Sequence, residues 1–192
     1  MNLPIVAYGS PILRKVAVDI TPNYDGLEKL IADMWDTMYN SNGVGLAAPQ
    51  INKSIRIFTM DSIQIFENDE DGDTVDYSDA PGFKGVFINP KIISLQGQPW
   101  KYNEGCLSIP KIREDVLREE SVTLNYFDEN FLSHTKTFTG ITARVILHEY
   151  DHLEGKLFID YITPLKRTLL KRKLDDITKG KIRIDYRMIF PK

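Results

Sequence analysis

The chain has 192 residues, 42% of them apolar and 27% charged, with a formal charge of −3. That balance belongs to a globular protein with one sizeable core; it excludes a disordered chain, and no run reaches the roughly eighteen apolar residues of a membrane span. The weak net charge gives no pull toward nucleic acid, and the single cysteine, Cys106, excludes an intramolecular disulfide.

The first residues, Met1-Asn2-Leu3-Pro4-Ile5, lack the basic start and apolar run of a secretory signal, so a cytoplasmic address is expected. Residues 27–40 predict a helix. Leu27, Leu30, Ile31, Met34, Trp35 and Met38 form one apolar stripe, Asp25 with Glu28 resembles a capping box, and Asn42-Gly43 supplies a stop. The small-residue run Gly43-Val44-Gly45-Leu46-Ala47-Ala48-Pro49-Gln50 suits a backbone that approaches something closely. Strands are expected at 55–60 and at 86–89, with Pro90 marking the edge of the second. Between them, residues 62–83 hold seven acids and no base, which leaves the rest of the chain near +4; this segment reads as a long solvated loop. Further strands are expected at 121–127, 135–138 and 156–160. A helix at 140–154 is stopped by Gly155, and a helix from Pro164 to about Ile177 is stopped by Gly180. The tail 182–190 alternates like a terminal strand. No internal repeat appears, and a single domain over 1–192 is expected, with 62–83 as an acidic insertion.

The sharpest chemical signal is His148-Glu149-Tyr150-Asp151-His152, an HExxH pattern inside a predicted helix. Residues four apart share a helical face, so both imidazoles can reach one metal ion, while Glu149 on a neighbouring line can serve a water molecule. Ile141 and Val145 share the histidines' stripe, which puts the ligands on the buried side. As mere core histidines, the pair would each need a hydrogen-bond partner. For a third ligand, no histidine follows His152 and no Glu follows Glu154; Asp160, Asp175 and Asp176 stand in no ligand-like pattern. A lone cysteine is commonly a small buried hydrophobe, but beside this helix Cys106 completes a Cys-His-His set with one position open to water.

Three segments, Gly43–Gln50, Glu104-Gly105-Cys106-Leu107-Ser108 and His148-Glu149-Tyr150-Asp151-His152, resemble the three signature motifs of bacterial peptide deformylases, in the family's order and with near-family spacing. The similarity runs from Gly9-Ser10-Pro11-Ile12-Leu13-Arg14 through Pro164-Leu165-Lys166. The resemblance implies an α+β fold, with antiparallel sheets packed around the HExxH helix and an N-terminal and a C-terminal helix. It implies hydrolytic removal of the formyl group from formyl-methionyl nascent peptides. The metal would be held by Cys106, His148 and His152: iron(II) as the family's usual ion, with zinc, nickel or cobalt as substitutes. Glu149 would act as general base, and the Gln50 amide and the Leu107 N–H would stabilise the oxyanion. Gly45 would run beside the substrate main chain, near Gly105. Val44, Tyr102, Ile141 and Val145 would form the methionine pocket, and Glu104, also beside the substrate, would pair with Arg118 to brace the cysteine loop.

The chain departs from the family at Leu147, where many relatives carry glutamine, and in the acidic insertion, where Glu67-Asp69-Asp71-Gly72 only faintly resembles a calcium loop. Lys166, Arg167, Lys171, Arg172 and Lys173 make the last helix basic; in some deformylases such a helix docks transiently on the ribosome, but a strand-like tail follows it here and a solvated face is the better reading. Two rival readings stand beside the deformylase. One is an HExxH endopeptidase with a different third ligand. The other is a non-catalytic metal-binding domain, for which His134 is the one spare histidine.

Overall fold

The computed structural model describes residues 1–67, 79 and 81–191. Its central sheet has five antiparallel strands in the order β2 (Gly45–Ala47), β3 (Ile57–Asp61), β4 (Lys84–Gln96), β7 (Ser121–Phe127) and β8 (Ser133–Thr139). A separate hairpin pairs β5 (Trp100–Cys106) with β6 (Ile109–Arg118), and the chain ends meet where β1 (Ile5–Val6) lies parallel to β9 (Met188–Ile189). Among the described residues four helices complete the α+β fold: α1 (Leu27–Asn40), the short α2 (Ile63–Glu67), α3 (Gly140–Leu153) and α4 (Pro164–Thr178).

Strand alternation divides the core between the two faces of the central sheet. Ile57, Val86 and Ile88 point to one side and pack with Leu30, Ile31, Met34 and Met38 of α1. Phe58, Met60 and Phe87 point to the other, where they meet Val122, Leu124, Phe138 and the α3 residues Ala143, Ile146 and Leu147. Leu147 is therefore a core residue. A third cluster joins Ile109, Ile112 and Val116 of β6 to Leu170, Leu174 and Ile177 of α4. The sheet is thus covered on both faces, and α3 is largely enclosed.

Several expectations are corrected. The first helix begins after Gly26, whose φ of 70° takes the boundary position, so Asp25 makes no cap. Pro90 does not end its strand: β4 continues to Gln96, because a register irregularity between Ile88 and Lys91 takes Pro90 out of the ladder, where no N–H is needed. Residues 156–160 form no strand. Asp160 Oδ2 accepts from Leu157 N–H at 2.8 Å and closes a 3-10 turn, Phe158–Asp160, whose apolar residues fill the third cluster. In the tail only Met188 and Ile189 pair, since β1 offers two residues to pair with; the alternation there records packing of Ile182, Met188 and Phe190 on the core. The hairpin β5–β6 was not foreseen, because the most buried residue of β5 is the acid Glu104.

The acidic segment is not loop throughout: α2 occupies its start, and Asp79 accepts from Thr142 N–H at 2.8 Å, capping the first turn of α3. Asp69, Asp71 and Gly72, on which a calcium loop would rest, lie outside the described residues. On α4, Lys166 bonds Glu114 at 2.6 Å and Arg167 donates to the Ile159 carbonyl at 2.8 Å, so two of the five basic side chains are tied to the body. Among the described residues no helix is long and apolar enough to cross a membrane.

Gly155 stops α3 at φ +68°, and an added Cβ would lie 2.7 Å from the Arg14 carbonyl oxygen. Gly155→Ala should therefore lose at least about 1–2 kcal/mol from the left-handed backbone alone. Urea denaturation reads this; an unchanged midpoint would show that alanine takes this left-handed position without strain.

Candidate active site

Cys106 ends β5, where the pairing with β6 shifts register after Gly105 and turns the thiol toward α3. Its Sγ lies 3.3 Å from His152 Nε2, and one ligand atom from each of Cys106, His148 and His152 falls within 4.8 Å of the others. A tetrahedral ion with ordinary metal–sulfur and metal–nitrogen bonds would hold sulfur and nitrogen about 3.5 Å apart, so the spacing suits a metal ion. The remaining histidine of the chain, His134, is bonded to Asp128 at 2.7 Å on the β8 surface, far from this cluster in its contacts.

The imidazole of His148 is aimed by its back side. Nδ1 meets Glu104 Oε2 at 2.9 Å, which assigns the ring proton to Nδ1 and leaves the Nε2 lone pair for a ligand. Glu104 is itself buried and fully engaged. Arg118 grips it through Nε and Nη2 at 2.7 and 3.0 Å, and Arg144 Nη1 reaches Oε1 at 3.1 Å. Arg118 continues to Asp151 at 2.6 Å, and Asp151 accepts from Tyr161 Oη at 2.9 Å. Burial would raise the Glu104 carboxyl, but the hydrogen bonds and charges of His148 and Arg118 overcome it and hold the group well below its ordinary value. The carboxylate is bonded to His148 and the two arginines, and the residue also forms part of the cavity wall.

Glu149 lies on the adjoining line of α3, and Oε2 is a buried atom with no hydrogen-bond partner among the described residues. A Cβ at residue 45 would come within 2.7 Å of its carboxyl carbon, so only glycine lets the carboxylate sit there. Burial pushes Glu149 up to about 7, against the lowering pull of His148. Gln50, in the 3-10 turn Ala48–Ile51, is buried; its Oε1 accepts from Ala47 N–H at 2.8 Å, and its Nε2 faces Cys106 Sγ at 3.5 Å and Ser108 Oγ at 3.4 Å. These groups line a cavity of about 610 Å³, and Val44, Gly45, Tyr102, Gly105, Leu107, Ile141 and Val145 also form its walls.

A family model described as polypeptide deformylase matches residues 2–168. This chain belongs to the polypeptide deformylase family. It is 52% identical over 191 residues to the peptide deformylase of Christiangramia forsetii, covering 100% of this chain and 97% of the relative. It is 53% identical over 190 residues to that of Flavobacterium johnsoniae, covering 99% and 96%. Among solved structures, a peptide deformylase from Legionella pneumophila superposes with a TM-score of 0.79 at 36% identity, covering 95% of this chain and 99% of that one. The Plasmodium falciparum peptide deformylase in complex with an inhibitor gives 0.76 at 35% identity, covering 92% and 99%. Polypeptide deformylases are hydrolases that remove the N-formyl group from nascent peptides with the help of a metal.

Sequence reasoning paired Glu104 with Arg118 but missed Arg144, Asp151, Tyr161, Ser108 and Tyr186. Two of these carried a signal: Arg144 stands four residues before His148 on an otherwise buried stripe, and Asp151 lies between the histidines. Tyr186, whose hydroxyl donates to the Leu107 carbonyl, carried none, because 79 residues separate the two.

Because the folded Glu104 carboxyl ionises well below its ordinary value near 4.5, its contribution to stability is complete above that pH and is lost as pH falls further. Acid denaturation should thus steepen below about pH 4.5. In Glu104→Gln this part of the slope should vanish, with lower stability at pH 7 because Arg118 and Arg144 lose their shared counter-charge. An identical acid limb in the variant would remove Glu104 from this role.

Proposed function

We propose that this chain deformylates the formyl-methionyl ends of nascent peptides as a single cytoplasmic domain, with Cys106, His148 and His152 holding one divalent metal. The observation that carries the proposal is the convergence of one sulfur and two imidazole nitrogens, two of the three on adjacent turns of a buried helix, at the cavity end where Glu149 lies dry against Gly45. Imidazole with thiolate suits iron(II), zinc, nickel and cobalt, and iron(II) is our choice for the native ion. When bound, the ion would act as a Lewis acid that makes water nucleophilic near neutral pH and polarises the formyl oxygen.

The protein's own groups account for the rest. Glu149, raised to about 7 by burial, is matched to take a proton from the attacking water at neutral pH and to hand it to the departing amine. The products are formate and a free N-terminus. As the formyl carbon becomes tetrahedral, charge grows on its oxygen; the Gln50 Nε2–H and the Leu107 N–H are the donors for it, and one such donor is typically worth about 3 kcal/mol. Gln50 is held ready because its oxygen is already occupied by Ala47 N–H. The backbone at Gly45 lines the cavity at the edge of the sheet and suits pairing with an extended peptide, and the apolar wall of Val44, Tyr102, Ile141 and Val145 suits the unbranched methionine side chain.

Formate should appear when the metal-loaded protein meets a formyl-methionyl tripeptide, with little from the acetylated analogue and no internal cleavage. An HExxH endopeptidase would give internal cuts without formate, and a binding domain would give neither. Glu149→Ala should retain its metal and lose at least about a hundredfold in turnover; full activity would remove Glu149 from the mechanism. Cys106→Ala should bind metal much more weakly in equilibrium dialysis, and unchanged content would require another third ligand.

A further inference from the structure

The turn Cys106-Leu107-Ser108 sets the sulfur next to the proposed oxyanion donor, and its two carbonyls are held from outside the hairpin. Tyr186 Oη donates to the Leu107 carbonyl at 2.7 Å, and Tyr8 N–H donates to the Ser108 carbonyl at 2.8 Å. Both donors belong to the ribbon formed by the two ends of the chain, where Ile5 N–H bonds the Arg187 carbonyl at 2.9 Å and Ala7 N–H bonds the Ile189 carbonyl at 2.8 Å. Tyr186 lies outside residues 2–168, the span matched by the family model, yet it also lines the catalytic cavity.

We propose that Tyr186 is a positioning residue for deformylation: by holding the Leu107 carbonyl, it fixes the direction of the Leu107 N–H toward the formyl oxygen. The peptide plane before Leu107 is tied to the ladder through the pairing of Cys106 with Ile109, and the plane after it is tied to Tyr186. With the plane that carries the N–H and the next plane both held, the coupled rotation that would swing the N–H out of the cleft is opposed. The Leu107 side chain adds to this, since it packs so closely on residue 43 that a Cβ there would lie 2.8 Å from Leu107 Cδ1. The hydroxyl thus acts in the transition state, where the N–H bond to the substrate is strongest. This inference rests on the deformylase reading above.

Tyr186→Phe removes the one donor and keeps the ring. Turnover per bound metal should fall about three- to tenfold, the scale of one hydrogen bond, with KM changed by less than about twofold. Amide exchange at Leu107 should quicken in both the metal-free and the zinc-loaded protein, while metal content and the denaturation midpoint stay near those of the parent. Unchanged turnover per metal, unchanged Leu107 exchange, or a loss that only follows lost metal would each overturn the proposal. A parent protein that releases no formate would instead overturn the deformylase reading, and this inference with it.

Discussion

One buried carboxylate holds the site together. Glu104 stands two residues before Cys106 on β5, and it bonds His148 on α3, so a single side chain ties the hairpin that brings the sulfur to the helix that brings the imidazoles. Burying that charge would be costly if any of its oxygen lone pairs were idle, and none of the arrangement leaves them so: two arginines and one imidazole share the two oxygens. Removing one partner from such a set strands the others, which makes the group cooperative. The same bond sets the tautomer of His148 and so decides which nitrogen faces the cavity. Structural and chemical demands meet in one residue.

Around that anchor, close approach is managed by missing side chains. Gly45 yields its Cβ space to the Glu149 carboxylate, and Gly43 yields its own to Leu107. Both belong to the segment that leads into the sheet-edge strand β2, so the backbone there faces α3 on one side and the cleft on the other. A dry carboxylate next to a metal-ligand helix holds its proton more tightly than one in water, and that is the property a neutral-pH proton shuttle needs. β2 is also the end strand of the sheet, the place where the proposed extended substrate would pair. The glycine run therefore both makes room for the Glu149 carboxylate and lines the cleft.

The chain ends have a part in this that their position in the sequence would not suggest. β1 and β9 pair with each other and, through Tyr8 and Tyr186, reach the two carbonyls that follow the sulfur. Arg183, Ile184 and Asp185 continue along the cavity rim. The tail is thus a wall of the cleft and a clamp on the cysteine turn rather than a loose end.

What could be read without coordinates was whatever depends on local spacing. Two histidines four apart with a carboxylate between them lie on one side of a helix because 3.6 residues make a turn, and the stripes of α1 and α3 follow from the same period. Glycines at 155 and 180 stop helices for a reason contained in one residue. The family resemblance carried the pairing of Glu104 with Arg118, and the lack of another patterned ligand beside the HExxH helix pointed to Cys106. The hairpin β5–β6 stayed hidden because a buried acid broke its alternation, and an acid reads as surface until its partners are known. The 156–160 run and the tail were mistaken for strands because apolar residues meet the core in either state, and only a neighbour with free peptide groups makes a strand. Arg144, Asp151 and Tyr186 took their partners from residues 33 to 79 positions away. Such contacts exist only after the chain has closed on itself, since hydrogen bonds depend on distances in space and sequence separation does not encode them.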